Sequence, residues 1–327
     1  MQFKRSGLVP ARPFVNACLG ISVLFLAACG ERNAEQGSDT PTGQEVPAPT
    51  LPAVWNTSDL EGTVSDIALA GGGASMLAIA YAGGGLEIFD LEGDRLSEPA
   101  PLDVSIIANG AYADFGELPL ALFPAADAEG KLAAVLFGEG LGAPQLAPIR
   151  TELDGALRFI CSRQLNTGSD TILEITFSTD ADPGSATSAT LTTTADDIRL
   201  ETTSMLEIDS ATNGCAYSGE ELAFGTGYDD YAGLSRSADG ALVNLTGEGQ
   251  LEIETNGNGL VAYSIRDGIS VRAPDPVRAI AALGRPRGGG YPGGLIVMAG
   301  RVGNADQAVF IDAGPLDIDG DAGALTE

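Results

Sequence analysis

The sequence contains no histidine, only four cysteines and a single tryptophan. Without imidazole there is no histidine base, no serine–histidine–aspartate triad and no histidine-ligated metal. Two of the cysteines fall within the first thirty residues, so the remainder of the chain cannot assemble a thiolate zinc site. Basic residues are scarce as well: seventeen Lys and Arg stand against forty-five Asp and Glu, a net charge of −28. Phosphate backbones repel such a surface, which excludes nucleic acid as a partner. Helical periodicity of 3.6 residues is nearly absent along the chain, which argues against a helix bundle.

In place of these the chain has forty-four glycines and short apolar runs between them. The stretch at residues 63–96, TVSDIALAGGGASMLAIAYAGGGLEIFDLEGDRL, holds the pattern in its clearest form. MLAIAY is an apolar run of strand length. LEIFDL alternates Leu86, Ile88 and Leu91 with Glu87 and Asp90, and GGG before it and EGD after it are turn chemistry. The unit reads as an antiparallel meander. One meander cannot bury both of its faces, whereas several packed around an axis can, and that arrangement is a propeller.

The first residues follow a different logic. Lys4, Arg5 and Arg12 precede a mostly apolar run at 15–28 that is short for a bilayer span and ends Leu26-Ala27-Ala28-Cys29. This resembles a bacterial lipoprotein signal, with residues 1–28 removed and Cys29 carrying the lipid. The acyl chains would anchor an otherwise soluble domain in the membrane. Gly30, not Asp, follows the cysteine, and by resemblance to envelope sorting rules that points to the outer membrane. Residues 29–53 are polar and proline-rich with almost nothing to bury, and they are expected to form a disordered tether.

The domain expected at 54–315 is a succession of strand-length runs separated by turn signals every eight to twelve residues. Among them are LPLALFPA, KLAAVLFG, ALRFICSR, ILEITFST, LEIET, GLVAYSI, ISVRA, VRAIAALG, GGLIVMAG and AVFIDAG. The Thr-rich SATLTTTADDIRL fits a strand with a solvated face. About 260 residues at roughly 40 to 45 per blade predict an all-β, six-bladed propeller of four-stranded antiparallel blades. A pair of β-sandwiches is the competing architecture. Residues 316–327 are expected to be an acidic tail. Asp317, Asp319 and Asp321 within it outline a calcium loop without its closing Glu.

From Gly85 onward the motifs resemble those of the bacterial β-propeller phytases. GGGLEIFDLEGDRL is similar to that family's blade turn. Leu157-Arg158-Phe159-Ile160-Cys161-Ser162 is similar to its "YGxC" strand, and Asn213-Gly214-Cys215 with Leu222-Ala223-Phe224-Gly225 to its "EGC…LYxGEED" segment. Asn256-Gly257-Asn258-Gly259-Leu260 is similar to "DIEGL", and the stretch 295–312 to the closing blade. The resemblance implies calcium held by carboxylates at the channel mouth, binding inositol phosphates and activating water. Several of the implied ligands are replaced: Asn213 and Asn258 stand at acidic positions, Ala82 at a lysine position, and of a paired aspartate only Asp66 is left. Amides bring no negative charge to a cation, so the expectation is a phytase-like propeller without catalysis that binds a small ligand or an envelope protein. A calcium-dependent phosphatase with a rearranged ligand set is the alternative.

Three further features are singled out. Cys161 and Cys215 form an even pair in an oxidising compartment, which points to a disulfide closing a loop of about 54 residues, with two buried thiols as the other reading. Tyr228-Asp229-Asp230-Tyr231 reads as a solvated turn or, with Asp66, as a cation or ligand site. Arg285 and Arg287, ahead of the glycines at 288–294, read as solvated residues beside a mobile connection, with contact to an anionic ligand as the other reading.

Overall fold

The computed structural model describes residues 48–115, 118–138, 140–151, 153–167, 170–194, 197–236, 239–255, 259–286 and 290–316. Among the described residues there is no helix, and the strands follow one another as antiparallel meanders. β1 (Thr50–Asn56) pairs with strands late in the chain, and the first meander comprises β2 (Val64–Gly72), β3 (Met76–Tyr81) and β4 (Leu86–Asp90). The second has a leading strand broken into β5 (Val104–Ile107) and β6 (Gly110–Phe115), followed by β7 (Leu118–Asp127), β8 (Leu132–Phe137) and β9 (Gln145–Pro148). Next come β10 (Leu157–Thr167), β11 (Asp170–Thr179), β12 (Asp182–Thr194) and β13 (Asp197–Glu207). A two-stranded group, β14 (Gly214–Ser218) and β15 (Glu221–Gly225), precedes the four strands β16 (Asp230–Arg236), β17 (Asp239–Leu245), β18 (Leu251–Thr255) and β19 (Gly259–Arg266). The last group is β20 (Val277–Leu283), β21 (Leu295–Val302) and β22 (Ala305–Asp312).

The leading strands β2, β5/β6, β10, β14, β16 and β20 adjoin one another in that order, and β20 returns to β2. This closed succession of leading strands gives the all-β, propeller-type fold that the turn spacing predicts. The groups are unequal in strand number, and parallel pairs between β2 and β6 and between β1 and β19 join neighbouring groups into larger sheets.

Period-two alternation explains why the runs are apolar throughout. On β21, Leu295, Val297 and Ala299 pack with Leu69, Ile79 and Phe89 of the first group, while Ile296 and Met298 pack on the opposite face with Leu234, Val243 and Ile253. Equivalent apolar seams join the first group to the second through Ile88 and Phe123, the second to the third through Leu122 and Phe177, and the third to β14 through Phe159 and Tyr217. The seam between β14 and β16 is closed differently. A Cβ added at Gly233 would lie 1.8 Å from the Tyr217 carbonyl oxygen, so only glycine lets these strands approach so closely.

Acidic side chains shape the turns. Asp90 Oδ1 accepts the amides of Glu92 and Asp94, and Asp127 Oδ1 accepts those of Glu129 and Lys131. This is one turn used twice, in DLEGD and DAEGK, each with its glycine at positive φ.

Three boundaries differ from the sequence expectation. Residues 50–53 are part of β1, not of a tether, because Leu51 and Ala53 are buried and β1 pairs antiparallel with β22. ISVRA at 269–273 is not a strand: Ile269 is fully exposed, and the segment folds back through the amide of Gly268 donating to the Val271 carbonyl. Leu316, placed in the tail by sequence, is buried in the core cluster with Leu51 and Ile311. The signal at 1–28, Cys29 and the acids at 317–321 lie outside the described residues.

Candidate functional site

The leading strands enclose an axial cavity. Its narrower part, about 140 Å3, is lined from all six groups by residues that include Asp66, Ile107, Arg158, Asn213, Asp230 and Ile280. A wider part, about 420 Å3, continues toward the other ends of the same strands and shares Asn109, Ser162, Tyr217 and Gly233 with the first.

Asp66 and Asp230, far apart in sequence, meet here. Each sits at the head of a leading strand and ties its backbone to the next. Asp66 Oδ1 accepts the Ile67 amide at 2.8 Å and Oδ2 the Ile107 amide at 2.8 Å, which joins β2 to β5. Asp230 Oδ1 accepts the Tyr231 amide at 2.7 Å and Oδ2 the Ile280 amide at 2.7 Å, which joins β16 to β20. All four carboxylate oxygens are therefore engaged by backbone N–H groups. Burial, and after it the charge of Asp230, holds the Asp66 carboxyl well above its usual range despite those bonds. Burial also pushes Asp230 up to about 7, with Asp229 adding to the effect.

The Tyr228–Tyr231 segment is divided by the fold. Tyr228 turns away and donates to Glu252 Oε2 at 2.5 Å, a bond that with burial pushes its hydroxyl up to about 12. Asp229 lines the cavity and is exposed. Asp230 departs from the solvated-turn reading: it heads a strand, is half-buried, and loss of water around it raises its pKa. Tyr231 covers Gly214 and Gly225, where any Cβ would collide with its ring, and donates to Asn213 Oδ1 at 2.7 Å. Asn213 in turn donates Nδ2 to the Tyr228 carbonyl at 2.8 Å, so this amide clamps the turn.

Ala82 is exposed on the β3–β4 turn and lines neither part of the cavity. Asn258 and Arg287 lie outside the described residues, and Arg285 lines the wider part. Cys161 and Cys215 form a disulfide with Cα atoms 5.7 Å apart, linking β10 to β14 along the narrower part.

Two lining residues carried no functional signal in sequence. Arg158 places its guanidinium against three carbonyls, those of Pro183, Ser210 and Thr212, at 2.6 to 3.1 Å. Asn109, in the break between β5 and β6, accepts the Leu69 amide at 2.8 Å and donates to the Ala282 carbonyl at 2.9 Å, bridging β2 and β20. Among the described residues no group of three or more carboxylates or thiols is arranged to hold a metal ion.

Closed leading strands around an axial cavity define a protein of the β-propeller class. No family model and no curated protein matches the chain. Solved structures that it is similar to include an arginine-substituted AofleA from Arthrobotrys oligospora, at 9% identity and TM-score 0.47, covering 75% of this chain and 83% of that one. The WD40 domain of SCAP from fission yeast is similar at 10% identity and TM-score 0.32, covering 63% of this chain and 45% of that one. The fission yeast SREBP–SCAP binding-domain complex contains a third, at 10% identity and TM-score 0.34, with 70% and 55% covered.

Proposed function

We propose that the chain is a lipid-anchored propeller of the bacterial envelope, of phytase-like ancestry, that acts by binding a small ligand or an envelope protein and not by hydrolysis. One observation carries this reading: Asp66 and Asp230 are engaged, oxygen by oxygen, with the backbone amides that join neighbouring strands. Acids used as struts are poor candidates for gathering hard cations, which need several converging oxygen ligands. Asn213 supports the same view, since both ends of its amide hold the Tyr228–Tyr231 turn.

A second reading, a calcium-dependent phosphatase, draws on the fact that Asp66, Asp229 and Asp230 line one cavity. Purified full-length protein in millimolar calcium, given phytate, separates the two. The binding reading expects no phosphate release and a melting midpoint unchanged by calcium. Phosphate release that Asp229→Ala abolishes would overturn it.

A further inference from the structure

A second cavity, of about 540 Å3, opens at the rim where β1, the turn after β4 and the end of β22 meet. Its walls combine two kinds of side chain. Trp55, Leu91 and Tyr291 supply apolar surface, and Glu92, Asp94 and Asp312 supply carboxylates. Among the described residues that line it there is no Lys or Arg.

Trp55 is the only tryptophan of the chain, and half of it is exposed. Its indole N–H donates to the Glu92 carbonyl, which fixes the ring against the turn and uses up its one polar group. Gly93 permits that approach, since a Cβ there would lie 2.7 Å from the Asn56 carbonyl oxygen and 3.2 Å from Trp55 Nε1. What the indole still offers is its π surface. Tyr291 is set edge-to-face against Phe310, with ring centroids 6.2 Å apart, so the floor is a buried, packed aromatic pair. Burial and the Asp312 charge together push the Tyr291 hydroxyl up to about 12, placing a negative field beside that floor.

Glu92 and Asp94 are exposed, and Asp312 is half-buried with Oδ1 accepting the Gly314 amide, so the cavity carries a negative field that a cation meets and a neutral ligand does not. A bare metal ion would need grouped oxygens, and none are so grouped among the described residues. An organic ammonium satisfies both halves: its charge meets the carboxylates and its alkyl shell meets the indole, the attraction known between cations and aromatic faces. The volume is in the range of small-ligand pockets. From this charge complementarity we infer that the rim cavity at Trp55 is a binding site for small organic cations bearing a quaternary or primary ammonium group. It is separate from the axial cavity and does not depend on how that cavity is used.

The single tryptophan provides the readout. Full-length protein is titrated with choline and, separately, with dimethylbutanol, its uncharged isostere, while Trp55 emission is followed. Choline is expected to change the emission saturably, and more weakly as ionic strength rises. Glu92→Gln with Asp94→Asn, both exposed, should weaken choline by about fivefold without changing the circular dichroism. Calorimetry on Trp55→Leu, which needs no fluorescence, should show binding lost in a folded protein. Equal binding of the uncharged isostere, binding of methyl glucoside in place of choline, or no saturable response to choline would each overturn the assignment.

Discussion

The axial and rim cavities both gather acids, yet they treat them in opposite ways. At the axis Asp66 and Asp230 are half-buried, each of their oxygens accepting an amide of its own or an adjoining strand. At the rim Glu92 and Asp94 are exposed and stand around an aromatic face. The difference teaches that a carboxylate's role is set by what its oxygens already hold. In a chain of net charge −28, acid content alone locates nothing.

The comparison breaks if disturbing one cavity also disturbs the other. The largest effect is expected from the Cys161–Cys215 disulfide, which spans 54 positions and frames the axial cavity alone. Its removal by paired Cys→Ser substitution should cost about 4 kcal/mol by loop entropy, seen as a melting midpoint lowered by roughly 8 to 16 °C. Choline titration of Trp55 well below that midpoint should be unchanged; a rim that also fails would show the two regions to be one unit.

Next in size is the effect of pH. Folded Asp66 and Asp230 keep protons at pH values where an unfolded chain, with aspartates near pKa about 3.9, has lost them. Between about pH 4 and the value of about 7 for Asp230, the native state therefore binds more protons, and this pair's contribution to stability declines as pH rises. Melting at pH 5 and pH 8 should show that decline, and Asp230→Asn should flatten it. The same variant should cost about 1 to 3 kcal/mol at pH 5, because Nδ2 cannot accept the Ile280 amide. A steeper pH profile in the variant would contradict the strut role.

The smallest effect sharpens the contrast from the other side. Glu92→Gln with Asp94→Asn should shift stability by no more than about 0.5 kcal/mol in urea unfolding, as expected of exposed acids that hold nothing. A loss like that of Asp230→Asn would make them structural too.

Much of the strand pattern was legible, because buried two-faced runs such as GGLIVMAG and glycine turns such as LEGD follow from local chemistry. β1 was not legible: Leu51 and Ala53 alternate over too few residues, and the strand that justifies them, β22, lies at the far end of the chain. ISVRA shows the converse: Val271 is buried against Ala53 of β1 and Val309 of β22, yet the segment is not itself a strand. At the axis the sequence singled out Asp66, Asp229 and Asp230, which do share a cavity, but not what the half-buried pair holds. Asn109 and Arg158 contact backbone atoms distant in sequence, and residue identity carries no trace of that. Trp55 was visible as the lone tryptophan, but its exposure depends on the turn after β4 reaching its indole.

The chain's first described strand also completes its last sheet, since β1 lies between β22 and β19. Any pull on the residues before 48 is transmitted through covalent continuity to β1 before any other strand. If the N-terminus is the point of attachment, mechanical load and ring closure meet at one clasp. A load applied there would then unfasten the ring at Leu51 and Ala53, not at its middle.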